Sequence, residues 1–251
     1  MRRVEAYSRL AGVYDEIVVD PCYGDWASYL DALWSADTAP VRSVLDVCCG
    51  TGLLAHELIA RGYRVVGVDA SEAMLAVARE RLGGEAVVRR TVLPELTVEG
   101  VFDAAVCTFD GLNYLAPEAL RLTMGEVAAH LRPDGWFVFD LHTEQMMQFT
   151  LSNPVVAGEA AGNSFVIRSV VDAGARTCDT RIELTHARDG DPFSEQHRQY
   201  FHTDAEVGAA LRDAGFAETA VSDEYTHRPV EPATTLRATW TARRAGGQRR
   251  D

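Results

Sequence analysis

The sequence predicts an α/β fold in which a doubly wound parallel sheet carries an inserted antiparallel β subdomain. Between residues 43 and 141, short apolar runs that suit strands alternate five times with helix-like runs. Strands and helices that alternate in this way form a parallel sheet with helices on both faces. From residue 164 to residue 202 the hydrophobic pattern has a period of two, which indicates antiparallel strands. Because ligands of doubly wound sheets bind at the carboxyl ends of the strands, we expect the functional site there.

The individual elements follow in order along the chain. Residues 2 to 34 suit a helix, a loop and a second helix. The predicted parallel strands are residues 43–48, 64–69, 86–92, 102–108 and 136–141, with helices ending near Gly62, spanning 71–82 and spanning 117–131 between them. The predicted antiparallel strands are residues 164–171, 177–187 and 194–202. A capping box at Thr203 and Glu206 starts a last helix, and residues 216–222 and 235–243 supply two final strands.

These elements divide the chain into a core and three additions. The predicted regions are a helical cap over residues 1–40, a core over 41–142, an inserted antiparallel β roof over 143–202, the rest of the core over 203–244 and a disordered tail over 245–251. The aromatic side chains of the cap have two interpretations: they cover one end of the sheet, or they form a lid over a bound ligand. The tail is basic and poor in apolar residues, which is typical of a frayed end.

Composition and charge exclude several classes of function. The chain has 251 residues, of which 47% are hydrophobic, and a net charge of −13. Nucleic acid is a poor partner for so acidic a chain, because phosphate binding requires a clustered basic surface. No apolar run is long enough to span a membrane, and we expect neither a membrane segment nor secretion. The five cysteines follow neither zinc spacing nor a disulfide pattern, which favours a cytoplasmic location and predicts no metal site.

One stretch, LDVCCGTGLL at residues 45 to 54, is typical of the turn that binds a nucleotide-type cofactor. It joins an apolar strand to a helix through a glycine turn, and Asp69 ends the next strand, where it can accept hydrogen bonds from a ribose. Nicotinamide cofactors favour the pattern G-x-G-x-x-G, in which the backbone approaches a pyrophosphate. Here Asp46 precedes Cys48 and Gly50. Its carboxylate would repel a pyrophosphate but can hold a cationic amine.

The pattern Asp46-x-Cys48-x-Gly50-x-Gly52 resembles motif I of the class I S-adenosylmethionine (SAM)-dependent methyltransferases, with Cys48 in place of the usual first glycine. Three later segments are similar to the same family in the same order: VVGVDASEAML, FDAAVCTFDGLNYL and LRPDGWFVFDLHT. The last two resemble the small-molecule branch, especially amino-sugar N-methyltransferases and related natural-product methyltransferases. The resemblance implies a Rossmann-like sheet of seven strands, the last one antiparallel, with the inserted sheet as a roof over the active site.

The resemblance also implies that the cofactor is SAM and the product S-adenosylhomocysteine. Asp46 would lie near the methionine amine, and the backbone of Cys48 and Gly50 would lie against the ligand. Asp69 would bind the ribose hydroxyls. The remaining implied cofactor residues are Thr108 and Phe109 beneath the methionine chain, Ala70, Met74, Thr91 and Val92 around the adenine, and Tyr14 and Trp26 in the cap. The family commonly has an acid where this chain has Thr91.

Four residues near the expected acceptor are candidates for handling its proton. Asp110 and Tyr114 follow the fourth strand, and His142 follows the fifth. His197 lies in a strand similar to the H-x-Q-R-x-Y roof strand of the family. An amine loses a proton only around methyl transfer, whereas a hydroxyl needs a base within reach. Three of them also have a structural interpretation: Asp110 caps a turn, His142 lies on the surface, and His197 pairs with Glu195.

The predicted function is methyl transfer from SAM to a nitrogen or oxygen atom of a small molecule, with a natural-product or sugar-type acceptor. Two alternatives remain open: a non-catalytic SAM-binding module, and a nicotinamide oxidoreductase, against which the absence of G-x-G-x-x-G counts. We expect a monomer or a homodimer, since the edge of the inserted sheet can pair with a second subunit.

Overall fold

The computed structural model describes residues 6–17, 22–186 and 191–246. Its helices are α1 (Tyr14–Ile17), α2 (Tyr23–Ser35), α3 (Leu53–Ala60), α4 (Glu72–Leu82), α5 (Pro117–Ala129), α6 (Glu144–Ser152) and α7 (Asp204–Asp213). Its strands are β1 (Ser43–Val47), β2 (Arg64–Asp69), β3 (Val87–Arg90), β4 (Phe102–Cys107), β5 (Leu131–His142), β6 (Val155–Ala160), β7 (Asn163–Asp172), β8 (Thr177–His186), β9 (Phe193–Tyr200), β10 (Phe216–Asp223) and β11 (Arg237–Arg244). Parts of the predicted cap (1–5, 18–21) and tail (247–251), and the predicted end of an inserted strand at Ala187, lie outside the described residues.

The main sheet has seven strands in the order β10-β11-β5-β4-β1-β2-β3. The pairs β1–β2, β2–β3, β1–β4 and β4–β5 are parallel, whereas β11 is antiparallel to both β5 and β10. This arrangement confirms the predicted fold class. The chain runs outward from β1 to β3 on one side and from β4 to β5 on the other, so the crevice at the carboxyl ends of β1 and β4 is the switch point where such sheets bind ligands.

Both faces of this sheet are covered by helices. On one face α5 and α7 bury a cluster that includes Met124 and Leu211 against Phe137 and Phe139. On the other face α2 and α3 pack on a second cluster that contains Trp34. Two apolar layers therefore hold the strand ends rigidly. Within the described ranges, no helix has the length and apolar character that crossing a membrane requires.

The helix ends follow the sequence signals closely. The Ser71 hydroxyl accepts a hydrogen bond from the Met74 N–H at 3.2 Å and begins α4, and Gly83 ends α4 with a φ of 55°. Thr203 and Glu206 form the predicted capping box of α7. The Ser71 cap fixes the N-terminus of α4 beside the carboxyl end of β2.

The inserted sheet has four antiparallel strands in the order β6-β7-β8-β9. The sequence predicted three of them and missed both β6 and the preceding helix α6. Helix α6 buries only Met147 fully, and β6 is a largely exposed edge strand, so neither has a strong apolar pattern. The Thr143 hydroxyl begins α6 by accepting from the Met146 N–H at 3.3 Å. The predicted roof therefore contains a helix as well as a sheet.

The predicted start of the fifth strand at residue 136 was wrong. Strand β5 begins at Leu131, and its pairing with β4 shifts by several residues before Trp136. The intervening segment bulges at Asp134, which has a φ of 60°. The Arg132 guanidinium holds the bulge by donating to the Asp103 carboxylate at 2.8 Å. A turn signal in the sequence thus marks a bulge inside a strand.

Candidate active site

A cavity of about 650 Å³ opens at the carboxyl ends of β1, β2 and β4. Its size suits a nucleoside-sized ligand. Ten of the twelve predicted cofactor residues line it: Tyr14, Cys48, Gly50, Asp69, Ala70, Met74, Thr91, Val92, Thr108 and Phe109. The other two, Asp46 and Trp26, do not. Four further cap residues also line it: Tyr7 and Tyr23, which are among the aromatics of the predicted lid, and Ala6 and Ser8, which the sequence interpretation did not name.

The turn between β1 and α3 has an unusual backbone. Cys48, Gly50 and Gly52 all have positive φ angles, of 58°, 54° and 78°. Glycine adopts this region freely, whereas a residue with a Cβ is strained there. Cys48 therefore keeps the backbone path of a glycine while placing a thiol against the cavity.

Two glycines elsewhere make room for the neighbouring cysteines. A Cβ at Gly111 would lie 2.8 Å from the Cys48 Cβ and 2.9 Å from the Cys107 Sγ. A Cβ at Gly67 would lie 2.9 Å from the Cys49 Sγ. Contacts this short force atoms to move. Gly111 thus accommodates the departure at Cys48, a long-range pairing that the motif alone does not reveal.

Asp69 connects the turn to the next helix. Its Oδ2 accepts from the Gly50 N–H at 3.0 Å, and its Oδ1 accepts from the Ser71 N–H at 2.8 Å. Burial raises the pKa of Asp69, and the hydrogen bonds from Ser71, Gly50 and Ala70 offset only part of the rise. The carboxylate lies in the cavity wall and keeps lone pairs that can accept from a ligand hydroxyl.

Asp46 is a buried acid without a complete set of partners. Its side chain is in β1, the residue is only 1% exposed, and Oδ2 accepts no hydrogen bond within the described part of the chain. Burial, with the nearby Asp69 charge, raises the pKa of Asp46 to about 8. A buried carboxyl with an unused acceptor suits a cationic group placed above it.

The wall near β3 lacks an acid, as the sequence indicates. The Thr91 hydroxyl lies 3.0 Å from the Thr97 hydroxyl, and the Thr91 N–H donates to the Asp69 carbonyl at 2.9 Å. Val92 is 53% exposed, so it forms part of an open rim. Any contact with the adenine of a bound cofactor here depends on the Thr91 hydroxyl or the backbone rather than on a carboxylate.

Trp26 belongs to the protein core instead of the cavity wall. Its ring stacks on Tyr225 with centroids 4.8 Å apart and lies 5.7 Å from the Phe109 ring. Tyr23, one helical turn earlier on α2, lines the cavity in its place. Both aromatics suit the wall by type, and their ring centroids are 5.0 Å apart, but only Tyr23, in the first turn of α2, reaches the cavity.

Four tyrosines cluster in one part of the cavity wall. The hydroxyls of Tyr7 and Tyr114 are 2.7 Å apart, and Tyr14 and Tyr23 are hydrogen-bonded to each other. Burial raises the pKa of all four phenols, and the Asp110 charge adds to the rise. They are therefore neutral hydrogen-bonding groups at physiological pH.

Tyr114 connects the cavity to a buried histidine. The Tyr114 hydroxyl is 2.9 Å from His197 Nδ1, and His197 Nε2 makes a longer contact of 3.5 Å to Glu195 Oε2. His197 is only 4% exposed and does not line the cavity. Among the four predicted catalytic residues, Tyr114 alone lines the cavity, and His197 reaches it through Tyr114.

Asp110 and His142 pair with each other beside the cavity. Asp110 Oδ2 is 3.3 Å from His142 Nε2, and Asp110 Oδ1 is 2.9 Å from Arg237 Nη2. Burial works against ionisation of Asp110, but His142 and Arg237 outweigh it and hold its pKa well below the usual range. An acid that stays ionised and paired in this way is a poor proton acceptor. Arg237, which completes the cluster, carried no signal in the sequence.

Asp140, at the end of β5, shapes the loop that carries Asp110. Its two oxygens accept from the N–H groups of Phe109 and Asp110 at 2.7 and 2.6 Å, and the Tyr225 hydroxyl donates to it at 2.8 Å. Burial raises the pKa of Asp140 to about 6, although Arg237 lowers it. Phe109 and Asp110 both have positive φ, and Asp140 stabilises that conformation.

Known proteins are similar to this chain in sequence and in architecture. Residues 44–135 match a family model described as a methyltransferase domain. The chain is 34% identical over 200 residues to dTDP-3-amino-3,6-dideoxy-alpha-D-glucopyranose N,N-dimethyltransferase of Streptomyces fradiae, covering 79% of this chain and 77% of that protein. The protein belongs to the SAM-dependent methyltransferases. It is also 27% identical over 227 residues to the putative methyltransferase YqeM of Bacillus subtilis (strain 168), covering 88% and 90% of the two chains.

A solved structure shares the fold of this methyltransferase. The SAM-dependent methyltransferase from Clostridium acetobutylicum ATCC 824 superimposes with a TM-score of 0.84 at 20% identity, covering 96% of this chain and all of that one. These similarities confirm the predicted family, enzyme class and cofactor, and they do not support the oxidoreductase alternative. The cytoplasmic location, the oligomeric state and the expected absence of nucleic-acid and metal sites stay predictions.

Proposed function

We propose that this methyltransferase transfers the methyl group of SAM to the amine nitrogen of a small, amino-sugar-type molecule. The observation that carries the proposal is the cluster of neutral phenols beside two ionised carboxylates, Asp110 and Glu195. Phenols accept and donate hydrogen bonds, and the Glu195 carboxylate behind them favours a reacting group that arrives as an ammonium, whereas the Asp110 charge is compensated by Arg237. A reacting group that is itself anionic would meet repulsion from Glu195.

The cofactor side has residues suited to each part of SAM. Asp69, in the cavity wall, offers lone pairs to the ribose hydroxyls. Asp46 does not line the cavity, so it would act on the methionine ammonium through its charge, from behind the Cys48 turn. The positive-φ backbone at Cys48 and Gly50 permits close approach of the ligand. When bound, SAM supplies a methyl group already activated on a sulfonium, so the protein's task is to align the acceptor and exclude water.

Tyr114 and His197 provide a route for the acceptor's proton. An ammonium must lose a proton before its nitrogen can attack a methyl group. The Tyr114 hydroxyl, in the wall, can take that proton while passing its own to His197 Nδ1 at 2.9 Å. Asp110 and His142 instead hold the loop that leads to Tyr114.

The relative from Streptomyces fradiae supports an amino-sugar acceptor. Its name describes N,N-dimethylation of a dTDP-linked 3-amino sugar, and the similarity extends over most of both chains. The shared fold alone would not indicate a substrate. The phenol cluster and the relative's name point to the same chemical group.

The test is a comparison of acceptors that differ only in the atom offered. The purified protein is incubated with SAM and with dTDP-linked amino sugars, free amino sugars, and the corresponding sugars in which a hydroxyl replaces the amine. Mass spectrometry of the products should show methylation of the amines alone, and Asp69→Ala should slow it at SAM concentrations that do not saturate the variant. Methylation of the hydroxyl compounds in preference to the amines would contradict the proposal.

A further inference from the structure

A short N-terminal segment, the strap (residues 6–10), is held against the inserted sheet by one buried side chain. Glu195 of β9 is fully buried. Its Oε1 accepts from the N–H groups of Arg9 and Leu10 at 2.7 and 2.9 Å, and its Oε2 accepts from the Tyr7 N–H at 2.6 Å. A carboxylate that binds three backbone N–H groups of a distant segment acts as its anchor.

The strap is also part of the cavity wall. Ala6, Tyr7 and Ser8 line the cavity. The Tyr7 carbonyl accepts from the Ser71 hydroxyl at 2.9 Å, at the residue that caps α4. The strap therefore spans from the inserted sheet to the cofactor side of the core, and its position decides whether the cavity is closed here.

The same carboxylate faces the buried histidine. Oε2 of Glu195 lies 3.5 Å from His197 Nε2, while His197 Nδ1 lies 2.9 Å from the Tyr114 hydroxyl. A carboxylate beside Nε2 favours the neutral tautomer that carries its proton on Nε2. That tautomer leaves Nδ1 free to accept a proton from Tyr114.

We propose that Glu195 is a positioning residue for methyl transfer, which holds the strap closed over the cavity and holds His197 in its Nε2–H tautomer. The second role rests on the proposed function, in which Tyr114 takes the acceptor's proton and passes its own to Nδ1. The imidazolium formed in that step is paired with Glu195. The two roles share one carboxylate, so the proton route is complete only when the strap is closed.

Glu195→Gln separates this proposal from a purely structural role. The Gln oxygen would remain with the Arg9 and Leu10 N–H groups, which leaves the amide NH₂ facing Tyr7 N and His197 Nε2. The amide then donates to Nε2 and drives His197 to its Nδ1–H tautomer. Glu183→Gln on the neighbouring strand β8 is the matched control, because Glu183 pairs with arginines on the outside of the same sheet.

The tautomer is measured by ¹⁵N NMR of the histidine side chains, with His197→Asn used to assign the signals. We expect Nε2–H in the wild type and in Glu183→Gln, and Nδ1–H in Glu195→Gln. This readout needs no acceptor, so it stands even if the acceptor is not an amine. The same tautomer in Glu195→Gln and wild type would overturn the positioning of His197.

Closure of the strap is measured by the rate of trypsin cleavage after Arg9. The Arg9 residue is exposed, but its backbone N–H is bound to Glu195. We expect cleavage to be about tenfold faster in Glu195→Gln than in Glu183→Gln, because a charge-assisted anchor is lost. S-adenosylhomocysteine should slow cleavage of the wild type, a result that does not depend on any variant folding. Equal cleavage in both variants, or no protection by S-adenosylhomocysteine, would overturn the strap role.

Discussion

The two sides of the cavity are assembled from the chain in different ways. Most of the cofactor side, where the proposed function places SAM, comes from residues 48–92. The Gly50 N–H in the turn after β1 donates to Asp69 at the end of β2. The acceptor side brings together residues far apart in sequence: Tyr7 is 188 residues from Glu195, and Tyr114 is 83 from His197. Local sequence therefore defines the first side, whereas the inserted sheet and the strap create the second.

Tyr114→Phe should give the largest effect: it should lower kcat without weakening cofactor binding, if the two sides act independently. Removal of the hydroxyl interrupts the route to His197, and kcat should fall about 100-fold, as is typical for loss of a general acid–base group. Affinity for S-adenosylhomocysteine should stay within about twofold, because the hydroxyl bonds to acceptor-side residues only. Kinetics and calorimetry measure the two quantities separately.

Asp69→Ala should instead weaken cofactor binding and leave the proton route through Tyr114 intact. Removing the carboxylate lowers affinity for S-adenosylhomocysteine by about 30-fold, since a charged hydrogen-bond partner is lost. If Tyr114→Phe weakened S-adenosylhomocysteine binding as much as Asp69→Ala does, the two sides would not be independent.

Asp46→Asn should show how much the buried Asp46 carboxylate lowers the free energy of unfolding of the ligand-free protein. The folded pKa of Asp46, about 8, lies above the unfolded value of about 3.9. Between these values the folded state binds the proton more tightly, so this group's contribution to stability is lost as pH rises from about 4 to 8. The variant should therefore be more stable than wild type at pH 9, by on the order of 2 kcal/mol, and similar to it near pH 4.

Thermal unfolding from pH 4 to pH 9 without ligand measures this difference. Asp213→Asn, the same substitution at an exposed position, is the control and should follow the wild-type curve. Affinity of Asp46→Asn for S-adenosylhomocysteine should fall even as its stability rises. A variant whose stability follows pH as the wild type does would show that Asp46 is ionised in the free protein.

Gly111→Ala should give the smallest effect, at the place where the two sides meet. The new methyl group would lie 2.8 Å from the Cys48 Cβ, and unfolding free energy should fall by about 1 to 2 kcal/mol through overpacking. Gly125→Ala on α5 is the control: a Cβ there meets no atom within 4 Å and should stabilise the helix. Thermal unfolding distinguishes the two, and an unchanged Gly111→Ala would mean that Cys48 moves freely.

The sequence was sufficient to predict those features that depend on residues close together in the chain. The parallel sheet, the turn at Cys48 and Gly50, and the caps of α4 and α7 follow from patterns a few residues long. The family resemblance added the antiparallel direction of the last strand. Of the residues that it implied for the cofactor, most line one cavity, because a local motif carries its own geometry.

Sequence was insufficient wherever position depends on packing. Tyr23 and Trp26 are three residues apart on α2 with their rings in contact, and residue type does not determine which of the two reaches the cavity. Edge strand β6 has little buried surface and so left no pattern. The sequence indicated Glu195 only as a pairing partner of His197, and only the return of the strap to β9 shows that it binds backbone N–H groups.

The crowding at Gly111 couples three positions that lie far apart in the sequence. A side chain at position 111 would lie 2.8 Å from the Cys48 Cβ and 2.9 Å from the Cys107 Sγ, so it needs space from both cysteines. Replacing Cys48 with glycine would therefore relieve only one of the two contacts. A side chain at position 111 is best tolerated when positions 48 and 107 change with it.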